Sequence, residues 1–189
     1  MARYSTEHKD NTRDKIVHAA AKEFRSKGWA GATIPGIMET AGMTVGGFYK
    51  HFESKSELFA EMFGHTFRKS SDRATALKDS STADNWRKAL AESYLDHAHR
   101  NNMRGGCVMA ALASDMPRAT TEARRAYEDE LKRYTAHLVA DSSDPAEQAK
   151  VWALQAMMLG GLMMARSVES EKTAHEIMDS CQKVIREEF

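Results

Sequence analysis

Apolar residues recur along most of this chain at spacings of three and four, the period of a helix with one buried face. Ile16, Val17, Ala20 and Phe24 predict a first helix over about Thr12 to Lys27, which Gly28 ends by supplying a left-handed residue. Thr33 is placed to cap a short second helix that turns Ile34, Ile37 and Met38 inward; Pro35 is tolerated in its first turn and Gly42 stops it. Thr44 can cap a third helix through about His51, and Ser54-Lys55-Ser56-Glu57 reads as a capping box that opens a fourth. The fourth carries Leu58, Phe59, Met62, Phe63 and Phe67 on one stripe, and its polar end, Ser70 to Asp84, is the expected break. Further helices are expected near 83–101, 106–116, 121–140, 145–167 and 171–188. Their start signals include Ser81 with Asp84, and Asp144-Pro145-Ala146-Glu147. No stretch alternates apolar and polar residues as a strand would, so the fold class is all-α.

Composition sharpens this in a few places. With 3 Pro and 12 Met in 189 residues the chain favours helix, and 42% hydrophobic with 29% charged residues is the balance of a soluble globular protein. The most apolar stretch, Val151 to Ala165, contains Gln155 and is bounded by Lys150 and Arg166; it is shorter than the about 20 residues a membrane span needs, so a buried helix and no membrane partner are expected. The polar N-terminus has no signal-peptide core, and Cys107 and Cys181 match no zinc or C-x-x-C spacing, which makes a reducing cytoplasm the expected compartment. The formal net charge is +0, but residues 1–70 hold 11 Lys+Arg against 8 Asp+Glu and the remainder 16 against 19. The first part is therefore mildly basic.

Three short helices, the last two joined by a tight Gly turn, are the arrangement of a helix-turn-helix, whose final helix fits a major groove. The segments Gly28-Trp29-Ala30-Gly31-Ala32-Thr33, Ala41-Gly42-Met43-Thr44-Val45-Gly46-Gly47-Phe48-Tyr49-Lys50-His51-Phe52 and Ser54-Lys55-Ser56-Glu57-Leu58 resemble, almost position by position, the signature of the tetracycline-repressor (TetR) family. The resemblance is detailed over roughly Arg13 to Phe59. It implies an N-terminal helix-turn-helix DNA-binding domain over 1–52 and a helical effector-binding and dimerisation domain over 53–189. It also implies that double-stranded operator DNA is the partner, with Thr44, Val45 and Gly46 near the bases and Tyr49, Lys50 and His51 on the phosphate backbone. Thr33 and Lys55, at the starts of their helices, would flank the same strand, where free N–H groups and the helix dipole favour anions. Pro35-Gly36 departs from the Arg-Asp pair common in relatives, and Val45 stands where a polar residue is common.

The resemblance assigns the helices after Phe52 to effector binding and dimerisation, and the sequence supplies material for a pocket, each residue of which has plain core as its alternative reading. Met62, Phe63, Phe67, Tyr94, His97, Met103, Met109, Met116, Tyr127, Tyr134, Trp152, Met157 and Met158 are large, adaptable side chains suited to a mostly apolar, aromatic or cationic small molecule. Arg104-Gly105-Gly106-Cys107-Val108-Met109 resembles a helix start that forms a pocket wall in a subset of the family. Cys107 is then either a reactive thiol that answers electrophiles or oxidants, or a small packing residue. The two readings stay open on sequence. An enzyme is not expected: His97 and His99 face apart on a helix, no Cys–His–Asp set or metal spacing can be assembled, and a cysteine enzyme would rest on Cys107 alone. No cofactor and no metal are called for. Val151 to Ala165 is apolar around most of its circumference, so a homodimer through the helices near 145–167 and 171–188 is expected. The resulting reading is a ligand-responsive repressor, released from a near-palindromic operator when its effector pushes on the fourth helix.

Overall fold

The computed structural model describes residues 2–80, 85–139 and 144–189, with side chains described from Asn11 onward. Every regular element among them is helical: α1 (Ala2–Gly31), α2 (Ile34–Thr40), α3 (Val45–Phe48), α4 (Lys55–Ser80), α5 (Trp86–Tyr94), α6 (His97–Asn101), α7 (Val108–Leu112), a 3₁₀ turn (Met116–Arg118), α8 (Thr121–Leu138), α9 (Pro145–Ser167) and α10 (Glu171–Glu188). None of the described helices is long and apolar enough to cross a membrane. The all-α class read from the sequence is the class observed.

The first turns behave as their caps require. Thr33 Oγ1 accepts from the Gly36 N–H at 3.2 Å, which opens α2. The helix closes in a Schellman arrangement, with Gly42 at φ +70°, its N–H on the Glu39 carbonyl and the Met43 N–H on that of Met38. Ser54 Oγ accepts from the Glu57 N–H at 3.0 Å, while the Glu57 carboxylate reaches back to the Glu53 N–H at 2.6 Å. The capping box is thus present with its return bond one residue earlier than the pattern implied.

Several boundaries differ from expectation. α3 has four residues and continues to Phe52 as hydrogen-bonded turns, because Gly46 and Gly47 each disfavour helix by about 1 kcal/mol relative to Ala. α4 does not break at Ser70. It runs on to Ser80 because Ala74 and Leu77 keep the inward period, and because Lys78 Nζ donates to the His137 carbonyl of α8 at 2.6 Å. The start signals at Ser81 and Asp84 lie outside the described residues. The single helix expected over 83–101 is two, since Asp96 accepts from the His99 N–H and starts a new helix. The one expected over 106–116 is α7 followed by the 3₁₀ turn. α8, α9 and α10 lie where the caps placed them.

Two apolar clusters hold these helices. The first packs α1 to α4 around Phe24, Phe48, Phe52, Phe59 and Phe63 and continues into Val108, Leu112, Met116 and Ala123. The second joins α5, α9 and α10 through Leu90, Leu95, Leu154, Leu162, Met178 and Ile185. The first therefore ties the three N-terminal helices directly to α7 and α8. Polar contacts reinforce that tie. Arg13 binds Glu61 and Glu57 on α4, donates to the His51 carbonyl, and lies 4.1 Å from the Phe52 ring centre. Hydrogen bonding to Glu61 raises the Arg13 pKa further, so it stays charged.

Gly28 does more than end a helix. Its φ of +69° kinks α1, and a Cβ there would lie far inside contact distance of Asp115 Oδ2, the atom that accepts from the Trp29 N–H at 2.7 Å. Gly42 has the same backbone sign with open space around it. Gly42→Ala should therefore cost only the left-handed strain, about 1–2 kcal/mol. Gly28→Ala should cost about 3–5 kcal/mol, because it also displaces a charge-assisted hydrogen bond contributing about 1.5–3 kcal/mol. Urea unfolding of both variants measures the difference, and equal losses would show that Asp115 does not hold the kink.

Candidate DNA-facing surface and effector cavity

At the α2–α3 end, six of the eight residues expected to meet DNA are solvent-exposed: Thr33, Thr44, Val45, Gly46, Tyr49 and Lys50. Val45 is 41% and Tyr49 64% exposed, although both sit in the tightest part of the chain. They stand out because Phe48 and Phe52 are buried beneath them with ring centres 5.7 Å apart, and Tyr49 packs edge-on to Phe48 at 5.2 Å. A Cβ at Gly46 would meet nothing within 4 Å, and at Gly47 only ordinary contacts with Met38 and Thr44. Packing within this chain thus requires neither glycine.

Two expected phosphate contacts turn inward instead. Lys55 Nζ donates to the Trp29 carbonyl and lies 4.6 Å from the centre of the Trp29 ring, and burial lowers its pKa. His51 is half-buried, with its carbonyl held by Arg13. Lys55 turns inward because the start of α4 is packed on α1 through Phe24, Trp29 and Phe59, whereas His51 lies where Arg13 holds the turn after α3.

A cavity of about 670 Å³ opens between α1, α4, α5, α7, α8 and α9. Of the side chains expected to line it, Met62, Phe67, Tyr94, Cys107, Met109, Tyr134 and Met158 do so. Seven of the expected pocket residues do not. Phe63 is fully buried between Phe59, Phe67 and Tyr127, and Tyr127 packs against it from outside the wall. His97 is exposed and its ring lies 3.8 Å from that of His175. Met103 is 52% and Trp152 36% exposed, because each faces away from the bundle interior. Met116 and Met157 also stay off the wall.

The wall holds polar groups that the sequence did not point to. Arg25, from α1, donates through Nε to the Gly106 carbonyl at 2.7 Å and through Nη1 to the Ala21 carbonyl at 3.1 Å; burial lowers its pKa. His99 Nδ1–H donates to the Tyr94 carbonyl at 2.7 Å and its Nε2 accepts from the Cys107 N–H at 3.0 Å, so the hydrogen bonds require the neutral imidazole. Cys107 caps α7, and burial together with the neighbouring Cys107 raises the Tyr94 pKa well above its ordinary value. Burial likewise pushes Tyr134 up. Behind the wall, Arg166 from α9 donates to the His99 and Arg100 carbonyls. A Cβ at Gly106 would collide with the Asn102 carbonyl and lie 2.8 Å from Arg166 Nη2, which is why the chain enters α7 through glycine.

Sequence spacing assembled no metal set, yet the fold brings His97, Glu171 and His175 together with one ligating atom of each within 4.8 Å of the others. Both Glu171 oxygens accept from Arg100 at 2.7 Å, so a guanidinium already neutralises the carboxylate. The trio is best described as an ion-pair cluster that ties α6 to α10.

Comparison with known proteins fits this geometry. Residues 16–62 match the family described as bacterial regulatory proteins, tetR family. The regulator TtgR of Pseudomonas putida is 41% identical over 58 residues, 31% of this chain and 28% of that protein. The regulator AcrR of Shigella flexneri is 35% identical over 63 residues, 33% of this chain and 29% of that protein. The matched segments span under a third of these relatives' length. Over nearly the whole chain the likeness is one of fold. The reduced form of Escherichia coli NemR aligns with TM-score 0.80 at 17% identity, covering 94% of this chain and 96% of that one. A TetR-family regulator from Agrobacterium tumefaciens aligns at 0.77 and 16% identity, covering 93% and 98%.

The His99 geometry makes a pH prediction. Burial is the largest cause lowering its pKa below 6.5, with Arg166 and Arg73 adding to it against the Tyr94 carbonyl and Asp96. The folded protein therefore binds this proton less readily than the unfolded chain. The contribution is fully present above about pH 6.5 and is lost as pH falls through the lower folded value. Unfolding free energies measured at pH 7.5 and 5.5 should fall on acidification, and fall less in His99→Gln. An identical pH slope in the variant would remove this assignment.

Proposed function

We propose that this chain, which belongs to the tetR family of bacterial regulatory proteins, is a repressor whose hold on operator DNA is set by a small molecule seated between α1, α4 and α7. A domain of residues 1–52 reads the DNA, and residues 53–189 bind the effector and pair two copies. Val45 and Thr44 meet base edges, with Val45 suited to a thymine methyl, while Tyr49, Lys50 and the start of α2 at Thr33 meet phosphates. The observation that carries this is the exposed face Thr33, Thr44, Val45, Gly46, Tyr49 and Lys50, seated on the buried Phe48 and Phe52. Gly46 supports it independently. Helix stability disfavours glycine there and packing does not demand it, which leaves close approach of DNA as its reason.

Dimerisation is supported by α9. Ala149, Trp152, Ala153, Ala156 and Met164 are exposed on one side of that helix, the last at 59%, while Val151, Leu154, Met158, Leu162 and Ala165 fill its own bundle on the other. A second copy covers such a stripe, and two reading heads then meet half-sites about one DNA turn or a multiple apart. Bound to its site, such a dimer represses by occupying it. Operator selection from a random duplex pool gives the site and its symmetry. Sedimentation at micromolar concentration tests the dimer, and Met164→Glu should shift it toward monomer. A monomer that keeps full DNA affinity would retire the pairing.

Lys50 and Lys55 give a contrast that separates surface from core. Lys50→Ala should lower affinity for all duplexes and reduce the salt slope by about one unit. Lys55→Ala should leave the slope unchanged and lower stability, because it removes a cation from two aromatic rings and a carbonyl. Gly46→Ala should stabilise the protein by up to about 1 kcal/mol and still weaken DNA binding. Reversed slopes for the two lysines would place Lys55 on the DNA after all. Tighter DNA binding by Gly46→Ala would remove the close-approach argument.

A further inference from the structure

The charge on the wall and rim of the cavity is one-sided. Lys22, Arg25, Lys69, Arg73 and Arg104 border it, against Asp96 as the carboxylate among its lining residues. Asp96 is already committed to the His99 N–H at the start of α6. Arg25 is the most informative of these cations. Its guanidinium is half-buried, and the partners it has are two carbonyl oxygens, Gly106 and Ala21, with no carboxylate among its described contacts. A half-buried cation held by neutral dipoles lacks the counter-charge that would offset its partial desolvation. The same sign extends across the space. Lys69, His18 and Arg68 reinforce burial in lowering the His65 pKa, and Arg73 acts in that direction on both His99 and Tyr134.

The rest of the wall is apolar and adaptable: Met62, Phe67, Leu90, Met109, Leu131 and Met158. A volume of about 670 Å³ is within the range of pockets that enclose drug-sized ligands. We propose that the cavity takes an amphipathic organic anion, with an aromatic or aliphatic body between α4, α8 and α9 and an acidic group, carboxylate-like, facing Arg25 and Arg73. This departs from the sequence expectation of a mostly apolar, aromatic or cationic effector, which rested on Met and Tyr content and had no means of placing Arg25 or Arg73 on the wall. A cationic ligand would meet the uncompensated guanidinium, and a neutral one would leave it without a counter-ion.

The inference rests on the effector-controlled reading above, and one set of probes tests the two separately. 4-Phenylbutyrate, 4-phenyl-1-butanol and 4-phenylbutylamine share a body and differ in charge. Calorimetric titration into the full-length protein should show the acid binding at least tenfold more tightly than the alcohol, with the amine weakest. Arg25→Gln should bring the acid down to the affinity of the alcohol, which it leaves unchanged. Because Arg25 also braces Gly106, Arg73→Gln at the exposed rim is the companion variant and should reduce acid binding severalfold in a folded protein. Equal binding of acid and alcohol, a preference for the amine, or no binding by any of the three overturns the anion assignment. The titrations are repeated with a duplex selected from a random pool. An acid that binds but leaves DNA affinity unchanged supports the anion site and retires effector control. An amine that binds best and releases DNA retires the anion site and leaves effector control standing.

Discussion

At Gly28 the first helix passes through a left-handed conformation, and the Asp115 carboxylate sits so close to its α-carbon that only glycine fits. The next residue, Trp29, gives its N–H to that carboxylate, stacks its ring on Phe24, meets Phe59 edge-on at 5.0 Å, and lends its carbonyl to Lys55. One short corner therefore joins α1, the start of α4 and the segment after α7. The exposed face on α2 and α3 stands on this corner, since the chain leaves it to enter α2. So does one wall of the cavity, because Arg25, one turn earlier in α1, holds Gly106 where the chain enters α7. A bond between residues 81 apart in sequence is what brings the two ends of the molecule into register.

Burial and charge divide the work differently at the two ends. Around Phe48 and Phe52 the aromatic core is fully enclosed, and Thr44, Val45, Tyr49 and Lys50 are driven outward. Around the cavity, polar groups remain inside and are each held by two hydrogen bonds to backbone groups or to one another, as with Arg25, His99 and Gln155, whose amide donates to Thr135 Oγ1 at 2.9 Å and to the Val151 carbonyl at 3.4 Å. Hydrogen bonds of this kind can exchange partners one at a time. A core of interlocked aromatic rings cannot.

How far the sequence could be read follows from the same division. Helices whose ends are set by local chemistry, Thr33 with Gly36, Gly42 with its left-handed turn, and Asp144 before Pro145, were legible because each cap acts within four residues. The break at Asp96 had the same kind of signal, an Asp three residues before the N–H it accepts, but the apolar period running through it hid the cap. The exposure of Thr44, Val45 and Tyr49 was legible for a related reason: two buried phenylalanines four apart decide which way these residues must point. Lys55 and His51 were not, because their direction is decided by Trp29 and Arg13, distant in sequence. The cavity was half legible. Its Met, Phe and Tyr lining shows in composition, whereas its cations come from α1 and α4, whose patterns announce only the apolar stripe.

On the proposed effector reading, this anatomy offers two mechanical routes from the cavity to the exposed face on α2 and α3. Met62 and Phe67 belong to α4, which packs on α1 through Phe59 and Phe24. Arg25 and Cys107 belong to the α1–α7 seam, which ends at the Gly28–Asp115 corner. A molecule seated between them touches both, so any displacement it forces is applied to the three N-terminal helices at two points rather than one. Two points define a rotation where one would allow only a push along α4. Coupling of about 1–3 kcal/mol is the usual scale for such communication between sites. The Arg25–Gly106 hydrogen bond alone, with a charged donor, contributes about 1.5–3 kcal/mol. Loss or shift of that one contact is thus of the right size, and the larger apolar cluster need not repack for the face on α2 and α3 to turn.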